Sequence, residues 1–178
     1  MAAFASFHGV VRSIEDFRTT AQEPDGCFKL MSVTGRSRNL VNFVVSPCTY
    51  FVDSETVRIG DMVVGFYDPN APTPMIYPPQ YRAVVMTKVT GSRVVSVDDF
   101  NSRLISSDGT LQLRVVRSTR ILLTNGQLFT GSLQNRDLVV VYPPSFQNVP
   151  ARLIGIPEQV TPTQIIVLCR NTGMGDCS

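Results

Sequence analysis

The sequence has one histidine, no tryptophan and only two lysines among its 178 residues. A Ser–His–Asp or Cys–His nucleophile set needs a histidine as its base. The single candidate, His8, lies in a stretch that has the apolar alternation of a first strand, where a structural role is expected. No glycine-rich phosphate loop and no dinucleotide-binding fingerprint occurs. These absences argue against an enzyme, and no cofactor is expected.

Cysteine is also sparse, and its spacing does not suit a metal site. Cys27 and Cys48 are twenty-one residues apart, Cys169 and Cys177 are eight apart, and no Cys-x-x-Cys pair occurs. Zinc sites usually take their ligands in close pairs. We therefore expect no metal site, and we expect Cys27 and Cys48 to be reduced thiols in the core.

Charge and hydropathy exclude several other classes. The net charge of +2 is too small to indicate nucleic acid as the main partner, because phosphate-binding domains usually carry dense basic patches. No apolar run approaches the roughly 18 residues of a membrane span. The first residues lack the basic and apolar regions of a secretory signal. No membrane association is expected, and the cytoplasm is the predicted compartment.

Strand signals dominate what the sequence does contain. Runs of Val, Ile, Thr and Phe, four to eight residues long, are bounded by Gly, Pro, Asn and Asp. Helical periodicity is nearly absent, and only Val97 to Leu104 has the pattern of a single helical turn. The chain is therefore predicted to be all-β. The clearest predicted strands are Asn42 to Val45, Met62 to Tyr67, Ala83 to Val89, Leu111 to Val116, Leu138 to Tyr142 and Gln164 to Cys169.

The two halves of the chain repeat one order of features. A long apolar block, a Gly/Asp turn with a Val-rich strand, a proline loop and a closing strand follow each other twice. The aligned blocks are 28–46 with 100–118, Gly60 to Tyr67 with Arg136 to Tyr142, Tyr77-Pro-Pro-Gln80 with Ile156-Pro-Glu-Gln159, and Ala83 to Met86 with Ile165 to Leu168.

This repeat predicts an internal duplication. Five or six short strands in each half are typical of a small barrel of the oligonucleotide/oligosaccharide-binding (OB) type. The predicted organisation is a first OB-like half over residues 1–90, a second over 91–169, and a flexible tail over 170–178. The alternative is one β-sandwich, or one larger barrel, formed by both halves.

The first half resembles a known pattern. Gly60-Asp61, an aromatic strand ending at Tyr67, the loop Tyr77-Pro-Pro-Gln80 and a closing Ala83-Val-Val recur in uncharacterised bacterial β-rich proteins. The pattern is also similar to a segment beside copper amine oxidase N-terminal-like domains in secreted Gram-positive proteins. The second half departs from it at Arg136 and Glu158. The resemblance implies a bacterial source and a β fold, and it carries over neither an activity nor a copper site.

The stretch from Tyr67 to Tyr81, here called the proline loop, is the first candidate binding site. Five prolines lie between its tyrosines. Because proline lowers the entropy of the free loop, such a loop can present side chains at little ordering cost. The candidate binding residues are Tyr67, Tyr77, Gln80 and Tyr81. If the loop is a recognition surface, at least two of the three rings should be exposed, whereas a stiff lid on the barrel would bury them.

Three arginines form the second candidate. Alternation from Leu111 predicts an outward Arg114, and Arg117 and Arg120 follow where the alternation breaks. Together they could bind an anion, although a solvated outer face is the simpler interpretation. Asp61 and Asp137 are both expected to precede a strand and to accept backbone N–H bonds of its turn.

Two functions of different classes remain. The favoured hypothesis is a non-catalytic binding or assembly module whose partner is a protein or a second copy of the chain. The alternative is binding of single-stranded nucleic acid, or of a small anionic ligand, on the barrel face. The absence of tryptophan and the low net charge disfavour nucleic acid.

Overall fold

A computed structural model describes residues 3–18, 20–22, 26–145 and 155–169. Over these residues the chain forms thirteen strands, one short 3-10 turn at Val52–Ser54 and no α-helix. The all-β prediction is therefore confirmed. The tail over 170–178 lies outside the described residues.

The described residues fall into two compact units. The first unit comprises residues 5–89 and holds a single seven-stranded sheet with the order β4-β7-β5-β1-β2-β3-β6. Its strands are β1 (Ala5–Phe17), β2 (Phe28–Thr34), β3 (Leu40–Val45), β4 (Tyr50–Phe51), β5 (Met62–Tyr67), β6 (Gln80–Arg82) and β7 (Val85–Lys88).

Alternation along β2 and β3 explains how these strands bury one face. Met31 and Val33 on β2 and Phe43 on β3 are buried, while Ser32 and Asn42 point to the other side. Ser32 Oγ donates a hydrogen bond to Asn42 Oδ1 at 2.6 Å across the two strands. Strand side chains alternate between faces, so this pattern gives one apolar and one polar face. The core of the unit consists of Val11, Met31, Val33, Val41, Phe43, Val45, Val63, Ala83 and Met86.

The second unit comprises residues 3–4, 90–145 and 155–169 of the described chain. It has a four-stranded sheet, β10-β13-β11-β8, and a two-stranded sheet, β12-β9. Its strands are β8 (Val94–Phe100), β9 (Leu111–Leu113), β10 (Arg120–Leu123), β11 (Arg136–Tyr142), β12 (Glu158–Val160) and β13 (Gln164–Leu168).

One local expectation was wrong. The segment Val97 to Leu104 begins inside β8 and makes no helical turn, because all seven residues of β8 pair with β11. That pairing buries Phe100 completely. It lies in the core of the second unit with Leu111, Leu113, Leu138, Val140, Val160, Ile165 and Val167.

Four of the six strand pairings in the first unit have a counterpart of the same direction in the second unit. In the first unit β1 pairs with β2 and β5, β2 with β3, and β5 with β7, all antiparallel, while β3–β6 and β4–β7 are parallel. In the second unit β8–β11 and β11–β13 are antiparallel, and β9–β12 and β10–β13 are parallel. Isolated bridges at Ser106 and Ile105 connect β8 to β9 where the first unit has β2.

The register of the parallel ladders can also be compared between the two units. Phe43 pairs with Tyr81 across the first parallel ladder, and Leu113 pairs with Val160 in the second unit. None of the sheets is closed as a continuous set of strands, since each ends in two edge strands.

A buried threonine provides hydrogen bonds to the backbone at the break between β6 and β7. The Oγ1 atom of Thr49 accepts a hydrogen bond from Ser46 N at 3.0 Å and donates one to Ala83 O at 2.7 Å. Thr119 does the same in the second unit, accepting from Val116 N at 3.2 Å and donating to Pro162 O at 2.8 Å. We call Thr49 and Thr119 the threonine clasps.

Removal of a clasp hydroxyl should destabilise the protein. Thr49→Val leaves Ser46 N and Ala83 O without their partner, which we expect to cost about 2 kcal/mol in the free energy of unfolding. Thr119→Val should cost a similar amount. Denaturant unfolding measures both, with the exposed Thr90→Val as the matched control. Equal stability of Thr49→Val and Thr90→Val would show that the hydroxyl does not support the break.

Candidate functional site

The proline loop leaves the sheet at the end of β5 and returns at the start of β6. Asp68 shapes its first turn, because its Oδ1 accepts a hydrogen bond from Asn70 N at 2.8 Å. Beyond this turn the loop carries three consecutive exposed apolar side chains. Met75 is 102% exposed, Ile76 53% and Tyr77 82%.

The two ends of the proline loop are joined by a pair of rings. Tyr67 and Tyr81 stack with centroids 4.0 Å apart and ring planes 6° apart. Tyr67 also lies 6.2 Å from Phe43, which lies 6.5 Å from Phe7. In these four rings, here called the aromatic row, Phe43 belongs to the core of the first unit and the other three pack against that core. Burial, followed by the nearby Tyr81, raises the pKa of the Tyr67 hydroxyl.

The structure thus separates the three candidate tyrosines. Tyr77 is fully accessible at the loop tip, whereas Tyr67 and Tyr81 are half-buried in the aromatic row. Since only Tyr77 is exposed, the condition set for a recognition surface, at least two exposed rings, is not met. Gln80, half-buried at the start of β6, pairs with Asn42 of β3.

The loop tip also contains what sequence reasoning missed. The sequence does not identify Met75 and Ile76 as candidate binding residues, because the pattern around an apolar loop residue does not show whether its side chain is buried. Tyr77 precedes Pro78 through a cis peptide bond. The tip therefore presents a continuous apolar segment of three side chains, and large apolar groups grouped on a surface commonly mark an interaction site.

The candidate arginines lie in the second unit and are all exposed. Arg114 follows β9, and its backbone N–H donates to Val160 O at 2.8 Å. Arg120 begins β10, where its N–H donates to Thr163 O at 3.0 Å. Arg117 lies in the bend between the two strands. Within the described chain none of the three forms an ion pair.

The carboxylate of Asp61 forms a hydrogen bond within its own turn and an ion pair with a lysine. Asp61 accepts a hydrogen bond from Arg58 N at 2.8 Å and lies 3.1 Å from the Lys88 ammonium. The backbone bond from Arg58, then Lys88, lowers the pKa of the Asp61 carboxyl. The expectation that Asp137 precedes its strand was wrong, because Asp137 is the second residue of β11 and is buried there.

The carboxylates of Asp98 and Asp108 accept hydrogen bonds from residues of the turn between β8 and β9. Buried Asp98 accepts hydrogen bonds from Ser107 Oγ and, at 3.1 Å, from Ala3 N. Burial tends to raise the pKa of Asp108, but bonds from Ser106 and Thr110 outweigh it, and the pKa is lowered. Among the described residues, no group of three or more His, Cys, Asp or Glu side chains could hold a metal ion.

The cysteines differ from expectation. Cys27 is exposed rather than in the core, and Cys48 is exposed and disulfide-bonded rather than a reduced thiol. Both lie in turns outside the strands, so neither has a sheet face to bury it.

Comparison with known proteins leaves the resemblance noted above untested. No family model matches the chain, and no curated protein matches it. The described part of the chain contains no helix of the length and apolarity that a membrane crossing requires.

The two kinds of tyrosine should respond differently to truncation. Tyr77→Ala should change the free energy of unfolding by less than about 0.5 kcal/mol, because an exposed ring contributes little to folding. Tyr81→Ala should cost about 2 kcal/mol, since it removes the ring that stacks on Tyr67. Urea unfolding compares them, with Tyr81→Phe as the control that keeps the ring. A loss at Tyr77 as large as that at Tyr81 would contradict the assignment of Tyr77 to the surface.

Proposed function

We propose that each unit is a small five-stranded barrel of the OB type. Support comes from the breaks in two strands of the first unit. Only Ala83 and Val84 separate β6 from β7, and Tyr50 N donates to Val84 O at 3.0 Å across that break. If β6 and β7 are counted as one bent strand, and β3 and β4 as another, the pairings form a ring: β1, β2, β3/β4, β6/β7, β5 and back to β1. A closed ring removes the edge strands that an open sheet leaves exposed.

We propose further that the two units arose by duplication of one ancestral unit. The four shared pairings, the registers of the parallel ladders and the threonine clasps at Thr49 and Thr119 support this origin. Each unit also has its own buried core. Separate cores favour two barrels over the alternative of one sandwich or one larger barrel.

The function proposed for this scaffold is a non-catalytic binding or assembly module. The observation that carries the proposal is the exposed apolar tip Met75, Ile76 and Tyr77 of the proline loop. In barrels of the OB type, the loop that connects the fourth and fifth strands borders the ligand face. The proline loop occupies this position in the ring proposed above, between β5 and β6/β7.

The chemistry of the tip favours a protein partner over nucleic acid. Between Tyr67 and Gln80 the only charged residue is Asp68. A nucleic-acid surface would need cations for the phosphates, whereas apolar and tyrosine side chains are typical of the centre of a protein interface. The proposed partner is therefore a protein with an apolar groove, either a second copy of this chain or another protein.

The proposal that the protein is not an enzyme rests on the lack of catalytic partners. His8 has no hydrogen bond or ion pair to a carboxylate, hydroxyl or thiol within the described residues. A catalytic base normally lies within hydrogen-bond reach of its nucleophile or orienting group. The alternative function, binding of single-stranded nucleic acid or a small anion on the barrel face, is supported by exposed arginines alone.

Site-specific cross-linking tests the docking proposal. A photoreactive phenylalanine analogue at Ile76 should form a cross-linked product, with the purified protein itself or in a bacterial lysate. Excess wild-type protein should suppress that product, and the Met75→Ser, Ile76→Ser, Tyr77→Ser triple variant should not. The matched control is Leu128→Ser, which removes an apolar side chain of 75% exposure elsewhere and should compete like the wild type.

The same competition experiment can also contradict the docking proposal. If the triple variant suppresses cross-linking as well as the wild type does, the tip does not bind the partner. If no cross-linked product responds to competition at all, the loop is a connection and not a docking segment. The triple variant should keep its thermal stability, because all three side chains are exposed.

A further inference from the structure

The turn between β2 and β3, residues 35–39, has an unusual residue in a strained position. Gly35 N donates to Asn39 O at 2.8 Å, and Arg38 N donates to Gly35 O at 3.1 Å, so the turn is tightly closed. Closing it places Arg38 in the left-handed region, with φ of 61°. That region is disfavoured for residues with a Cβ atom and is normally occupied by Gly or Asn.

Glycine or asparagine would adopt the left-handed conformation of position 38 at a lower conformational energy than arginine does. Asn39, which tolerates the left-handed conformation well, lies one position later. The strained position holds an arginine instead, whose side chain is exposed and contributes no core packing. Backbone strain that local packing does not require is a reason to look for a function.

Other cationic groups surround this turn. Arg36 is also exposed, and within the described residues neither Arg36 nor Arg38 forms a side-chain hydrogen bond or an ion pair. Arg12 lies at the base of the turn, where its Nε donates to Thr34 Oγ1 at 3.3 Å. No acidic residue occurs between positions 28 and 46. The hairpin formed by β2 and β3 therefore carries guanidinium groups on its turn and no carboxylate between positions 28 and 46.

His8 on β1 shows that this charge reaches the neighbouring strand. Burial of part of the imidazole and, second, the Arg36 guanidinium lower the pKa of His8 from its ordinary value of 6.5. His8 is the only histidine of the chain, so its resonances report on this place alone.

We propose that the turn at residues 35–39 is an oxyanion-binding site, in which Arg36 and Arg38, with Arg12 at its base, hold a phosphate or sulfate group of a ligand. Guanidinium groups bind such oxyanions through paired N–H donors in a planar fork. The strained backbone at Arg38 fixes the direction from which its side chain leaves the turn. This site uses none of the residues of the proline loop and does not depend on the docking proposed for its tip.

Titration with inorganic pyrophosphate at low ionic strength tests the site, because exposed charges are screened by salt. Bound anion should offset the charge of Arg36 and raise the pKa of His8, which NMR follows directly. Backbone amide shifts should cluster at residues 35–39. Inorganic sulfate in a parallel titration distinguishes the sources: tighter pyrophosphate indicates a phosphoryl ligand, and tighter sulfate indicates a sulfated one.

The variant Arg38→Gly separates binding from stability. It should weaken pyrophosphate binding by about tenfold or more. It should also leave the midpoint of thermal unfolding unchanged or raise it by up to about 4 °C, because glycine relieves the left-handed strain. Arg103→Ala, which removes the same charge from an exposed position in the second unit, should change the affinity by less than about twofold.

Three results would overturn the proposal. One is the absence of any shift at His8 or at residues 35–39 on addition of either anion. Another is an equal loss of affinity in Arg38→Gly and Arg103→Ala, which would indicate only the general charge of the protein. The third is a lowered unfolding midpoint in Arg38→Gly, which would assign Arg38 a structural role. None of these results bears on cross-linking at Ile76, so the two proposals fail independently.

Discussion

The parallel pairing of two bent strands is the constraint on which the rest of the first unit depends. Most pairs in the fold join antiparallel strands that need only short turns, but β3 and β4 run parallel to β6 and β7. Both partners bend within a few residues, and a bend leaves backbone groups without a ladder partner. The Thr49 hydroxyl supplies that partner at the break, with one bond accepted and one donated. A side chain thereby continues a sheet that the backbone alone would interrupt.

The same parallel pairing determines where loops can be long. Parallel strands cannot be joined by a tight turn, so the chain must pass through other elements before it returns beside β3. β5 supplies that passage, and the proline loop completes it between Tyr67 and Gln80. The stacked rings of Tyr67 and Tyr81 hold both ends of this loop on the sheet. The loop tip is then left outside, with no strand to cover Met75.

Sequence patterns could predict the strands but not their register. Alternation of apolar residues identifies a strand, yet it looks the same after a shift of two residues. If the two units are equivalent, as proposed, the pairings shift the block from Phe28 to Ser46 by two residues relative to the gapless sequence alignment. They shift the closing strands by three residues, because these strands are buried on both faces and carry no alternation to fix their register. The proline-rich stretches align Gln80 with Gln159, as the pairings do. The strain at Arg38 depends on backbone angles, and no composition signal reports those.

The tyrosine stack has a consequence for how the protein can change over evolutionary time. Because Tyr67 and Tyr81 bring the two ends of the loop together on the sheet, the loop can change in length while its ends stay in place. Lengthening a closed loop costs little free energy, and each doubling costs only about 0.6 kcal/mol in closure entropy. Residues inserted near Met75, which is exposed, would extend into solvent. The stack therefore makes the proline loop a segment whose length and sequence can vary while the sheet beneath it is retained.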